Sequence, residues 1–230
     1  MAADLANHRN RQCNSDVSSF GAIPLDFAKA NIDFLVSSAN KCIEGVPGFA
    51  FVIARRSALT AAKGNADTVS LDIVDQRAAL DANGQFRFTP PTHAMLAFRQ
   101  ALRELDEEGG VAARASRYKE NQRVLQEGMT KLGFKLYLPA KLQGYIISSY
   151  EYPKDSNWNF TAFYSKLNDR GFVIYPGRPR PIACTAGKVS KADCFRIGHI
   201  GRLFPSGMCA LLRAIDSVCK EMKTASYFSQ

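Results

Sequence analysis

The hydrophobic positions of this 230-residue chain fall into short runs and long stripes. Phe34-Leu35-Val36 has the length and branching of a buried strand, and Phe49–Ala54 is a second run of the same kind. Between them stand Ser37-Ser38-Ala39-Asn40, Lys41, and a loop containing Gly45, Pro47 and Gly48. The pattern therefore sets Lys41 at a strand's end, beside a loop that brings backbone close to its surroundings. Ala61–Arg87 mixes polar residues with the short run Val69–Val74 and predicts a helix or an irregular excursion.

Thr89-Pro90-Pro91-Thr92 breaks the pattern and starts a helix, with prolines near its first turn. Leu96, Leu102 and Leu105, with Phe98 nearby, predict its buried stripe, and Gly109-Gly110 stops it. Val111, Ala115, Tyr118, Leu125, Met129 and Leu132 predict a second helix over Val111–Leu132, closed by Gly133. The remainder alternates in type. Gly144–Tyr150 reads as a strand. Asn159 caps a helix carrying Phe160, Phe163, Tyr164 and Leu167, and Gly171 ends it. Phe172–Tyr175 and Phe195–Ile197 read as strands. Ser206 caps a last helix that buries Met208, Leu211, Leu212, Ile215, Val218 and Met222. The sum is an α/β chain. Met1–Val17 is polar, lacks an apolar period and reads as an irregular start.

Composition narrows the class. Hydrophobic residues make up 46% and charged residues 22%, an ordinary globular balance. No apolar run approaches bilayer length and no secretory pattern opens the chain, so no membrane partner is expected. The six cysteines, Cys13, Cys42, Cys184, Cys194, Cys209 and Cys219, form no C-x-x-C pair and no zinc spacing. They read as reduced thiols of a cytoplasmic protein without a metal. The net charge of +9 could attract nucleic acid or anionic substrates. The basic residues are scattered, with no basic helix or aromatic-interleaved patch, so no nucleic-acid partner is expected.

Position alone leaves Lys41 two readings. A lysine at a strand end that loses solvent becomes a nucleophilic amine of the kind Schiff-base chemistry requires. Most lysines so placed are solvated surface charges. The string Ser37-Ser38-Ala39-Asn40-Lys41-Cys42, followed by Gly45-Val46-Pro47-Gly48-Phe49, resembles the cofactor-lysine segment of the 2-aminoethylphosphonate–pyruvate aminotransferases. These are class V, fold-type-I pyridoxal-phosphate aminotransferases. Further strings resemble the same family in order: Ser18-Ser19-Phe20-Gly21, Phe88-Thr89-Pro90-Pro91-Thr92-His93, Gly109-Gly110-Val111-Ala112-Ala113-Arg114, Gly171–Gly177 and Asp193-Cys194-Phe195-Arg196-Ile197-Gly198.

The resemblance implies a catalytic Lys41 that binds pyridoxal 5'-phosphate covalently and then moves a proton. It implies that Thr89 reaches a partner subunit's cofactor phosphate in a homodimer, where position alone favours a helix cap. It implies that Arg196 grips the anionic end of the substrate, where the bland alternative is a surface ion pair. Ser18 and Ser19 fall where the family strand passes under the cofactor. The family aspartate that pairs with the pyridine nitrogen falls at Ser15 in ungapped register. Asp16 stands one residue later, on the other face of a regular strand, and would need a bulge to serve. His93 reads as structural, near a helix start. His199 takes a place where the family usually has asparagine. The stretch Arg178–Gly187 interrupts a join that the family makes almost directly, and its prolines argue against a regular element.

The implied fold is the C-terminal half of a fold-type-I large domain followed by a small α/β domain, because family members begin far upstream. The expected domains are 1–110, a partial cofactor-binding domain, and 111–230, a linking helix with the small domain. The implied reaction transfers the amino group of 2-aminoethylphosphonate to pyruvate, giving phosphonoacetaldehyde and alanine. Two alternatives stay open: a non-catalytic dimer partner or remnant of the family, and a class V aminotransferase for another anionic amine.

Overall fold

The computed structural model describes residues 13–15, 18–177 and 194–224. The chain divides into two compact units, Met1–Arg114 and Ala115–Gln230.

The first unit is built on a three-stranded sheet in the order β1 (Cys13–Ser15), β2 (Phe34–Ser38), β3 (Ala50–Ala54). β1 runs parallel to β2, with Cys13 opposite Phe34 and Ser15 opposite Val36. β2 and β3 are antiparallel, from Phe34 opposite Ala54 to Ser38 opposite Ala50. Side chains along β2 alternate, Leu35 and Ser37 being buried and their neighbours half-buried, as the two-residue period of a strand demands. The irregular start expected over Met1–Val17 is corrected at Cys13–Ser15: a polar segment becomes a strand because β2 offers it a backbone ladder, which needs no apolar pattern.

Helices α1 (Arg56–Thr60), α2 (Ile73–Asn83) and α3 (Thr92–Glu108) follow. α2 lies in the expected excursion, and the carboxylate of Asp72 caps it by accepting from the amides of Val74 and Asp75. α3 begins after its prolines, with Pro91 at the N-cap position. Its buried stripe differs from the expected one. Ala94, Ala101 and Leu105 are buried, whereas Leu96 is 62% and Leu102 39% exposed. Helical geometry is the reason. Positions 94, 98, 101 and 105 share one face at about 100° per residue, and 96 lies opposite. Small alanines let α3 sit close to its neighbours, with the Phe98 ring edge-to-face with Phe49 at 5.3 Å and tilted against Phe51 at 5.4 Å between ring centres.

Gly109 and Gly110, with φ of 104° and 74°, end α3 and start α4 (Gly110–Lys131). Two successive left-handed residues turn the chain sharply, a conformation glycine adopts without steric cost. The boundary between the two units falls within α4.

The second unit carries an antiparallel sheet, β4 (Ile147–Glu151), β6 (Cys194–Gly198) and β5 (Tyr175–Pro176), with β6 central. α5 (Phe160–Asn168) and α6 (Pro205–Glu221) complete it. The core packs Leu125 and Met129 of α4, Phe163 and Leu167 of α5, and Ile215 and Val218 of α6 around Phe195. Asn159 caps α5 as expected, accepting from the amide of Ala162 at 2.9 Å. Two expectations are corrected here. The strand predicted over Phe172–Tyr175 is confined to Tyr175–Pro176, since only these residues pair with β6. Ser206 does not cap α6. Pro205 occupies its first turn, where its fixed φ suits a helix start, and Phe204 takes the N-cap position without a side-chain bond. The interrupting stretch Arg178–Gly187 lies outside the described residues.

Candidate active site

Lys41 lies three residues beyond the end of β2, half-buried, on a turn whose neighbours are held closely. Cys42 and Ile43 beside it are buried. The amide of Glu44 donates to the Lys41 carbonyl at 2.8 Å, and that of Gly45 to the Ala39 carbonyl at 2.9 Å. Cys42 Sγ donates to the Ser18 carbonyl at 3.1 Å. Ser38 Oγ donates to Asn40 Oδ1 at 2.7 Å. Glu44 adopts φ of 66°, a left-handed conformation that costs a side-chain-bearing residue about 1–2 kcal/mol. Contacts around it hold it there. Among the described residues, no carboxylate pairs with Lys41 and no hydrogen bond engages its Nζ. The backbone is thus fastened while the amine is left uncommitted.

A buried guanidinium completes the turn. Arg114 is fully buried, donating from Nη1 to the Cys42 carbonyl at 2.6 Å and from Nε to Glu108 Oε2 at 2.7 Å. Glu44 Oε1 is 3.8 Å from the same Nε, on a side chain only 8% exposed. Two carboxylates offset one cation away from water, which such a charge requires. The Gly109-Gly110 reversal lets Glu108, at the end of α3, meet Arg114 in the first turns of α4. No motif in the sequence assigns Arg114 a role. The signal that could have found it is a charge three residues from Val111 and four from Tyr118, on the buried face of the helix.

Thr89 is exposed, just ahead of α3, in an open surface depression with Gln85, Phe86, Arg87, Phe88 and Pro90. It does not cap the helix, since the cap position is Pro91 and no side-chain bond is made there. Arg87 stiffens this segment, donating to the Val69 carbonyl at 3.1 Å, pairing with Asp75 at 3.6 Å and lying 5.3 Å from the Phe88 ring centre. His93 is exposed in the first turn of α3. Ser18 is exposed and Ser19 half-buried, the carbonyl of Ser19 accepting from the amides of Ala22 and Ile23. Asp16 lies outside the described residues.

Arg196 belongs to the second unit, half-buried on β6 opposite Tyr175. Its Nε donates to the Pro176 carbonyl at 3.3 Å, and no carboxylate among the described residues pairs with it. The other guanidinium nitrogens remain for an anion. His199 follows the same strand and is buried, its Nε2 2.9 Å from Ser148 Oγ. Burial pushes its pKa down to about 4, only partly offset by a backbone hydrogen bond to Tyr145. Asn121 donates to the carbonyls of His199 and Leu203 from α4. This cluster fixes the end of β6 and is structural.

The sequence model of the family described as aminotransferase class-V matches residues 14–150. The chain belongs to the class-V aminotransferase family. It is 52% identical over 217 residues to the 2-aminoethylphosphonate–pyruvate transaminase of Klebsiella pneumoniae subsp. pneumoniae, covering 94% of this chain and 56% of that protein. It is 53% identical over 204 residues to the enzyme of the same name from Aeromonas hydrophila subsp. hydrophila, covering 88% of this chain and 51% of that protein. The chain therefore spans about half the length of the relatives it matches. Among solved structures it resembles pyridoxamine-pyruvate aminotransferase from Mesorhizobium loti, with a TM-score of 0.81 at 22% identity over 98% of this chain and 56% of that one. It also resembles ureidoglycine-glyoxylate aminotransferase from Bacillus subtilis, with a TM-score of 0.78 at 16% identity over 99% and 57%. At such identities the likeness shows the fold, which is that of the fold-type-I aminotransferases. Among the described residues, no helix is long and apolar enough to cross a membrane.

Proposed function

We propose that this chain serves the pyridoxal-phosphate-dependent transfer of the amino group of 2-aminoethylphosphonate to pyruvate, with Lys41 as the catalytic lysine. The observation that carries the reading is a half-buried Lys41, its amine engaged by none of the described residues, on a turn fastened on both sides. The names of the relatives at about half identity supply the reaction and the two substrates.

Among the described residues, Lys41 suits the cofactor and Arg196 suits an anionic substrate. Lys41 offers a primary amine without a competing ion pair, the chemistry that covalent attachment needs. Arg196 offers a planar fork with free donors, suited to a phosphonate or carboxylate. When bound, pyridoxal 5'-phosphate supplies an electron-accepting ring conjugated to the amine. Lys41 Nζ would hold it covalently, and the same amine, when free, would serve as the base that moves a proton. The Thr89 hydroxyl, exposed and outside the helix cap, donates one hydrogen bond to the cofactor phosphate of a partner subunit in a homodimer. Asp16 is assigned to the pyridine nitrogen on resemblance alone.

The domain reading belongs to the same proposal: 1–110 as part of a cofactor-binding domain, and 111–230 as a linking helix with a small α/β domain. So does a cytoplasmic location, in keeping with Cys42, Cys194, Cys209 and Cys219 standing outside disulfides. No nucleic-acid partner is included.

The test is to mix the purified protein with pyridoxal phosphate, reduce with borohydride and map the adduct by mass spectrometry. The proposal expects modification confined to Lys41 and its loss in Lys41→Gln. Labelling of no lysine, or of exposed lysines such as Lys29 equally, would overturn it and leave the chain as a non-catalytic member of its family.

A further inference from the structure

We infer that Arg114 is a positioning residue that sets where the Lys41 amine can reach. The inference rests on the reading of Lys41 as the cofactor lysine, but its physical content is the rigidity of one turn.

Charge balance alone does not explain the contacts of Arg114. A buried guanidinium stays ionised and needs acceptors for its fixed fork of donors. Glu108 at 2.7 Å and Glu44 at 3.8 Å already offset its charge. Nη1 is nevertheless aimed at a neutral acceptor, the Cys42 carbonyl at 2.6 Å, in the residue next to Lys41. The same side chain faces Glu44, whose left-handed backbone brings its amide to the Lys41 carbonyl. Arg114 therefore holds the turn at two residues on the C-terminal side of Lys41. Cys42 Sγ and the Gly45 amide secure the rest.

A lysine side chain is a flexible four-carbon stem, so its backbone root decides which volume the amine samples. Displacing a reacting group by about 1 Å is enough to cost on the order of a hundredfold in rate. With the root fixed, only side-chain rotation remains. Arg114 touches neither the amine nor a reacting atom, so it acts through the turn.

The test uses the full chain without cofactor and two readouts. Hydrogen exchange measured by mass spectrometry reports the amides of Glu44 and Gly45. Competitive acetylation with acetic anhydride across pH reports Lys41, with Lys29 as the exposed reference. In Arg114→Met we expect the turn amides to exchange about tenfold faster or more, with the amides of α3 unchanged. The pH profile of Lys41 acetylation should move while that of Lys29 stays. Arg114→Met combined with Glu44→Gln removes one of the facing carboxylates and keeps the test open if the single variant unfolds. Glu108→Gln leaves the bond to Cys42 in place and should leave turn exchange as in the wild type.

An unchanged turn in Arg114→Met, or faster exchange shared equally by β2 and α3, would overturn the inference and make Arg114 a general support of the unit. Failure of the cofactor reading would show separately, as an unselective borohydride adduct in the wild-type chain.

Discussion

Arg114 donates from Nη1 to the carbonyl oxygen of Cys42 at 2.6 Å, across 72 positions of sequence. The bond joins the first turns of α4 to the turn that presents Lys41. Without the glycine reversal between α3 and α4, the guanidinium could not meet Glu108 at its own helix junction and Glu44 on the turn together. The most deeply buried charge of the candidate site is thus spent on backbone, a use of arginine that favours placement over reactivity.

Gly45 should resist any side chain. A Cβ there would stand 2.7 Å from the Ala39 carbonyl oxygen and 3.3 Å from Phe98 Cδ2. The first neighbour is backbone and already accepts the Gly45 amide, so it cannot step aside without opening the turn. Gly45→Ala is expected to destabilise by about 1–3 kcal/mol and to lower the yield of the Lys41 adduct. Gly144→Ala, where a Cβ meets nothing within 4 Å, is the control and should stay within about 0.5 kcal/mol of wild type. Urea unfolding and borohydride mapping of both variants check this.

His199 should make the fold sensitive to acid. Its folded pKa of about 4 lies below the ordinary 6.5, so between these values the unfolded chain binds the additional proton. The contribution is complete above about pH 6.5 and lost as pH falls to about 4. A shift of that size corresponds to about 3 kcal/mol. Unfolding free energies of wild type and His199→Asn, measured from pH 7.5 to 4, should diverge as the pH drops, wild type falling faster. Parallel curves would refute the assignment.

The cysteines should differ in reactivity. Burial pushes the Cys219 thiol up to about 11, with the hydroxyl of Thr224 opposing the effect. At pH 8 on the order of one molecule in a thousand then carries the Cys219 thiolate, the nucleophilic form. Cys209 is exposed on α6, while Cys42 and Cys194 are buried. Among the four cysteines whose side chains are described, iodoacetamide should label Cys209 first, leave Cys42, Cys194 and Cys219 protected in the folded chain, and label these four at similar rates in urea. Peptide mass spectrometry over a time course reads the order directly.

Much of the local architecture was legible from the chain. β2 and β3 follow their apolar runs, α3 and α4 break at Gly109-Gly110, and Asn159 caps α5 as its side chain suggests. These features depend on residues close in sequence. The stripe of α3 was misread because large side chains were taken for buried ones. Leu96 and Leu102 face outward, and small alanines allow close packing. β1 was hidden, and β5 placed too early, for a related reason: a strand whose definition is its pairing need not carry an apolar period.

The sequence by itself determined the family and the strand ending that presents Lys41. Those are matters of motif order and local propensity. Only the tertiary structure decided that Arg114, on the buried face of its helix, bonds to the turn beside Lys41, and that Glu44 and Glu108 together offset its charge. No periodicity encodes such a cluster. A buried charge finds acceptors wherever the folded chain brings them, and here they come from segments that are distant until β2, α3 and α4 have packed.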